Sequence, residues 1–268
     1  MTEADLPRAA ALSAAAGWNQ VAADWSLFLH GGEVRVLDDG DPACLAASAA
    51  VLPYGADLAW ISMVLVRPDR RRAGLATALM RWAVGRLAGM RHVALDATPA
   101  GREVYARLGF RDLLGFARWS VPRDLPAPAR AVRPLRPEDW PALLALDAAA
   151  FGAPRAAPLR NFARRRPDAA FVTPDLRGFV LARDGLRAPQ IGPVVAPDEP
   201  TAIALVAAAR AALGVPAVLD LADSAGGVAA ALAAQGGERL RPFTRMVLGD
   251  AGFGKAERNF AFAGPEFG

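Results

Sequence analysis

Apolar residues recur along this chain first at helical and then at strand spacing, and the alternation of the two periods outlines a fold. Residues 6–16 and 21–30 carry apolar positions three and four apart, and the second run stops at Gly31-Gly32. Three shorter apolar stretches, 34–37, 43–52 and 58–66, follow as strands. A helix over 75–87 places Leu75, Leu79, Trp82 and Leu87 on one stripe. Then come a strand at 92–97, a short helix at 103–108 and a strand at 113–121.

The order then begins again. Asp5-Leu6-Pro7 answers to Asp139-Trp140-Pro141, and an amphipathic Ala/Leu helix follows in each case. Val66-Arg67-Pro68-Asp69 answers to Val195-Ala196-Pro197-Asp198, Leu95-Asp96 to Leu219-Asp220, and residues 109–118 to 236–245. Four matches in one order indicate a tandem duplication of a mixed α/β unit. Between the copies, "VPRDLPAPAR" at 121–130 has three prolines and no periodicity, the signature of a linker. The expected division is 1–120, a linker at 121–130, and 131–268. The second copy starts with an extra strand at 131–135. None precedes the first helix, and three readings stay open: the edge comes from another segment, is absent, or was lost through a misplaced start codon.

Composition narrows the chemistry. With 268 residues, 53% hydrophobic and 22% charged, the chain is long enough for one large or two ordinary cores. No apolar run approaches the roughly 20 residues that cross a bilayer, and the N-terminus has no basic leader. A cytoplasmic protein without a membrane partner is expected. Cys44 is the only cysteine, and with His30 and His92 alone beside it the usual zinc ligand sets cannot form, so no metal is expected. The net charge is +4, and 31 − 1 = 30 of the basic residues are arginine, Lys255 being the exception. Heavy use of Ala, Arg, Gly and Pro reads as coding bias, and no long basic or aromatic-interleaved tract points to nucleic acid.

One basic cluster needs its own account. In "VRPDRRRAGLATALMRWA", residues 66–83, Arg70, Arg71 and Arg72 stand where a helix begins. The backbone dipole there already favours anions. Free N–H groups of a first helical turn, a glycine at Gly74 that lets the backbone come close, Ala76 that keeps the next turn clear, and two guanidinium groups at Arg71 and Arg72 together make an anion site suited to a diphosphate. No G-x-x-x-x-G-K-[ST], no strand-linked G-x-G-x-x-G and no G-x-S-x-G occurs. What is met is R/Q-x-x-G-x-G/A, by Arg71, Gly74 and Ala76.

Here the sequence resembles the GNAT superfamily of acetyl-CoA-dependent N-acetyltransferases. "VRPDRRRAGLATALM" is similar to that family's acyl-CoA motif, and "GREVYARLGF" at 101–110 to its following helix-turn. "GWNQ...DW", "LDATPAGREVYARLGF", "IGPVVAPDE" and "FAGPEFG" resemble, more narrowly, bacterial tandem-GNAT proteins with a degenerate second half. The resemblance implies two GNAT-like domains, each a mixed, mainly antiparallel sheet flanked by helices. It implies acetyl-CoA as cosubstrate, with Leu65 and Val66 pairing with pantetheine through their backbones and Arg71, Arg72, Ala73, Gly74, Leu75, Ala76 and Thr77 holding the pyrophosphate. Tyr105 matches the tyrosine that protonates the leaving thiolate. Thr98 stands where many relatives have a pantetheine-binding Asn.

The implied reaction is attack of a neutral primary amine, on a small molecule or a peptide, upon the acetyl thioester, with the oxyanion held by a backbone N–H near Val66. Asp96, at a strand end, is the candidate base, and its match at Asp220 speaks for a shared structural role. Cys44 reads as a buried structural thiol, His30 as a helix-end residue and His92 as solvent-facing. Trp18, Asn19, Gln20 and Trp25 are the expected acceptor wall, and Asp147, Phe151 and Arg155 are candidates at the boundary. In the second half, Glu199, Pro200, Thr201, Ala202 and Ile203 replace the cradle, so that half is expected not to bind CoA but to pack on the first, and the tail is expected to dock. A monomer or homodimer fits. The alternative from another class is a non-catalytic acyl-CoA sensor.

Overall fold

The computed structural model describes residues 1–126 and 128–268; Ala127, within the expected linker, lies outside the described residues. The first half runs α1 (Leu6–Ala15), α2 (Ala22–Gly31), β1 (Glu33–Leu37), β2 (Ala47–Tyr54), β3 (Leu58–Val66), α3 (Leu75–Arg86), β4 (His92–Ala97), α4 (Pro99–Ala106) and β5 (Arg111–Val121). The second begins with a two-residue strand, β6 (Arg133–Pro134). It continues α5 (Trp140–Phe151), α6 (Ala156–Arg165), β7 (Phe171–Val172), β8 (Phe179–Arg183), β9 (Gln190–Val195), α7 (Glu199–Leu213), β10 (Ala217–Ala222), α8 (Gly226–Ala234) and β11 (Arg239–Gly249), and closes with β12 (Asn259–Phe262).

Two boundaries depart furthest from the sequence reading. The second strand starts at Ala47 rather than 43. The short helix starts at Pro99 rather than 103, because Thr98 caps it by accepting a hydrogen bond from the Gly101 amide and Pro99 takes the first helical position, where no N–H is needed.

All twelve strands form one sheet, ordered β1-β2-β3-β4-β11-β5-β10-β12-β9-β8-β7-β6. The sheet does not part at the linker. Each half gives its last long strand to the other: β4 pairs with β11, β10 pairs with β5, and β5 and β11 meet antiparallel at the centre. There Phe116 lies opposite Phe243, their rings stacked 5.0 Å apart. The repeated Asp and Arg positions become crossed ion pairs, Asp96 with Arg245 at 2.9 Å and Asp220 with Arg118 at 2.8 Å.

Alternation along the strands sorts side chains to two faces. Leu52, Tyr54, Leu58 and Trp60 meet a core with Leu12 of α1, Trp25 and Phe28 of α2, Leu143 of α5 and Leu159 of α6, whereas Val51, Ala59 and Ile61 meet Met80 and Ala83 of α3. The first core spans both halves, and Phe267 of the tail stacks on Phe28 at 4.9 Å inside it.

In each half two parallel strands touch at one end only. β3 pairs with β4 through Leu58, Ala59 and Trp60 against His92, Val93 and Ala94, then diverges. β9 pairs with β10 through Gln190 and Ile191 against Val218 and Leu219, and β12 fills the gap beyond, bonded to both.

Candidate active site

The divergence of β3 from β4 opens the site. Beyond Trp60, the remaining residues of β3, including Leu65 and Val66, pair with β2 alone and leave their other edge bare. Within this stretch Met63 has φ 51°, a left-handed conformation uncommon for such a side chain, at an irregularity in the β2·β3 register. The opposite lip is the end of β4, where the Asp96 side chain is buried although the residue as a whole is partly exposed. Its exposure therefore belongs to the main chain.

At the mouth of the opening stands the arginine turn. Arg72 (φ 64°) and Gly74 (φ 76°) both take left-handed conformations, and nothing lies within 4 Å of where a Gly74 Cβ would sit. The first helical amide with a backbone acceptor is that of Ala78, which donates to the Gly74 carbonyl at 3.0 Å; those of Leu75, Ala76 and Thr77 have none among the described residues. Ala73 lies in the same exposed turn. Arg70 is spent on Asp39 at 2.8 Å, and Arg67 binds Asp39, Asp41 and Asp69. Arg71 and Arg72 have no acidic partner among the described residues. Unfilled amides on a helix dipole, a glycine with open space beside it and two uncompensated guanidiniums fit a phosphate-bearing cosubstrate.

Deeper in the opening, a narrow cleft is lined by Trp18, residues 61–64, Leu95, Asp96, Tyr105, Pro265 and Glu266. Gly101 makes room for the Tyr105 ring, which folds back over the first turn of α4. Burial pushes the Tyr105 phenol up to about 12, so it is neutral at physiological pH, and its hydroxyl has no hydrogen-bond partner among the described residues. An adjoining narrow cleft shares Trp18, Asp96, Pro265 and Glu266 and adds Asn19, Gln20, Thr98, Arg118, Arg241 and Phe243.

Several expected residues sit elsewhere. Trp25 is fully buried between α1 and α2, its indole N–H donating to Ser13 Oγ at 3.0 Å, and so is no part of an acceptor wall. Asn19 lines the second cleft, but its amide chiefly clamps the loop after β8, with contacts to Arg187 and Ala188 at 2.8–3.2 Å. Thr98 lines that cleft while capping α4. His92 is buried rather than solvent-facing, its Nδ1 2.7 Å from the Asp250 carbonyl. Asp147 and Arg155 form a buried pair at 2.9 Å that grips the carbonyls of the tail; Phe151 packs with Tyr54 and Trp60. Cys44 is half-buried and its thiol is pushed up by burial.

The sequence reading missed what the second half delivers. Residues 263–268 cross to the first half, where the Trp60 indole donates to the Pro265 carbonyl at 3.0 Å and the Tyr54 hydroxyl to that of Phe267 at 3.1 Å. Glu266 is thereby buried beside Arg183, with its Oε2 unpartnered among the described residues, and burial raises its pKa. Asp96 is likewise pushed up, to about 6, by burial working against the Arg245 pair that occupies both its oxygens.

Residues 30–112 and residues 143–261 each match the family described as acetyltransferase (GNAT) domain. Among curated proteins none matches significantly. Of the solved structures, a putative acetyltransferase from Pyrococcus horikoshii superposes with a TM-score of 0.84 at 18% identity, over 100% of this chain and 94% of that one. A GCN5-related N-acetyltransferase from Sphaerobacter thermophilus gives 0.63 at 18%, over 94% and 96%. A tandem GNAT protein from the clavulanic acid biosynthesis pathway gives 0.62 at 18%, over 92% and 94%. At such identities the likeness is one of fold. With both halves matched, the chain belongs to the GNAT acetyltransferases as a tandem pair of such domains, and it is an acyltransferase.

Proposed function

We propose that the chain transfers acetyl from acetyl-CoA to a primary amine by direct attack, in the first half only. One observation carries this reading: the cleft lined by the neutral phenol of Tyr105 is walled by residues 61–64 of β3, the strand whose bare end leads through the arginine turn to the unfilled amides of α3. Acetyl-CoA supplies the activated acyl group. Arg71, Arg72 and the amides of residues 73–77 would hold its pyrophosphate, and the bare edges of β3 and β4 would accept the pantetheine arm as an added strand. Thr98, whose Oγ1 accepts the Gly101 amide, keeps its hydroxyl proton for a ligand. Tyr105 stands as proton donor toward the departing thiolate.

The proton acceptor is drawn from the two buried carboxylates. Both Asp96 oxygens are held by Arg245, whereas Glu266 keeps one oxygen unpartnered and lines both clefts. Glu266 is therefore the better placed base, and Asp96 a positioning residue that orders the floor through Arg245. Trp18 and Gln20 face the acceptor.

The test is thiol release from acetyl-CoA against a panel of amines and peptides, with wild type and Tyr105→Phe. The expected outcome is turnover that falls roughly 100-fold in the variant, with acetyl-CoA affinity changed by less than about threefold. Binding without turnover on any acceptor would instead mark a sensor.

A further inference from the structure

Arg241 stands directly opposite Arg118 in the β11·β5 ladder. Like charges placed so across antiparallel strands are destabilising. Arg118 is compensated by its two-pronged pair with Asp220 at 2.8 Å. Arg241 is not. Among the described residues it has no acidic partner and donates no hydrogen bond, and its Nε is buried and unpartnered. The guanidinium lies 4.7 Å from the centre of the Phe243 ring on the wall of the second cleft. Burial and the Arg118 charge pull its pKa below the ordinary arginine value, the mark of a cation short of an anion.

The duplication shows that the fold does not require this arginine. The match of residues 109–118 with 236–245 sets Leu114 of β5 at the place of Arg241 in β11, and the central ladder repeats the relation by pairing Leu114 with Arg245 and Arg118 with Arg241. A leucine serves in one copy and an uncompensated arginine in the other. Asp96 and Glu266 line the same cleft, so it carries both signs of charge.

We infer that the acceptor is an amino carboxylate: Arg241 receives its carboxylate through the guanidinium fork, and its amine lies toward Glu266 and Asp96. This rests on the amine-acetylation reading and narrows it to a substrate class. The forked guanidinium matches a carboxylate's two oxygens, which a lysine cannot do.

Calorimetric binding of α-amino acids with apolar, aromatic and basic side chains, each beside its carboxamide, tests the assignment on wild type, Arg241→Leu and Arg241→Lys. Arg241→Leu installs the residue the repeat already tolerates, and thermal melts check that each variant is folded. At least one acid should bind wild type roughly tenfold or more tighter than its amide, the scale of a charged hydrogen-bonded pair. That preference should vanish in Arg241→Leu and be reduced in Arg241→Lys. Absence of binding by every acid, equal binding of acid and amide, or a preference surviving in Arg241→Leu would overturn the inference. So would a loss in Arg241→Leu confined to acetyl-CoA affinity, which would place Arg241 on the cosubstrate. Because the readout is binding, a chain that selects the acid yet releases no thiol from acetyl-CoA would refute the transfer reading and leave the anion subsite standing.

Discussion

The two strand openings of this molecule descend from one duplicated unit and have opposite fates. In the first half the gap between β3 and β4 is bare, and the helix at its mouth starts with unfilled amides and uncompensated arginines. In the second, β12 fills the gap between β9 and β10, and the corresponding helix α7 is capped by its own Asp198, which accepts the Thr201 amide at 2.8 Å. Glu199 beside it accepts the Gly227 amide of α8 at 2.7 Å. An open sheet edge inside a protein leaves polar backbone without partners, so each gap needs an occupant. One receives a ligand and the other receives the chain itself. The plug also has a second consequence, because the residues that continue from β12 run on to become the floor of the first half's cleft.

The same substitution in each opening separates the two fates. A Cβ at Gly192 (φ 144°) would run into the Phe262 carbonyl of β12. Gly192→Ala should therefore cost about 3–5 kcal/mol in urea unfolding, from backbone strain and overpacking together. At Gly74 the Cβ meets open space, so Gly74→Ala should cost only about 1–2 kcal/mol, the strain of a left-handed alanine, while weakening acetyl-CoA binding. Equal costs at the two sites would erase the distinction between a plugged and a vacant gap.

A smaller effect concerns the crossed ion pairs beneath both openings. An unfolded aspartate titrates near 4, and burial pushes Asp96 in the fold up to about 6. Because the folded value is the higher, stability from this group is full below about pH 4, declines as the pH rises to about 6, and changes no further above that. Measured by denaturation, wild type should lose stability relative to Asp96→Asn across that window and run parallel to it from pH 7 upward. A constant difference from pH 4 to 7 would mean that burial does not raise the carboxyl.

Local features were readable from the chain. The arginine turn depended on adjacent residues, and Tyr105 on the resemblance of residues 101–110 to a known family segment, so both were visible without tertiary knowledge. The repeated Asp and Arg positions were visible too, but not their partners. β5 and β11 carry similar patterns, and either could satisfy the strand beside it, so the exchange is decided by global packing, which local periodicity does not encode. The same holds for Glu266, whose placement depends on a tail crossing to the other half. Trp18 and Trp25 share a composition and a neighbourhood. They part only because α2 turns Trp25 onto its core face, while Trp18 precedes that helix. Arg241 left no trace because its meaning lies in standing opposite Arg118.

The central claim is that one opening is built for a coenzyme and the other is filled. Titration calorimetry with CoA on the intact chain tests it most directly. One site per chain is expected, with affinity falling roughly 100-fold or more when Arg71 and Arg72 are both changed to glutamate, since two charge-assisted contacts become repulsive. Two sites per chain, no site, or an affinity indifferent to that charge reversal would contradict the account.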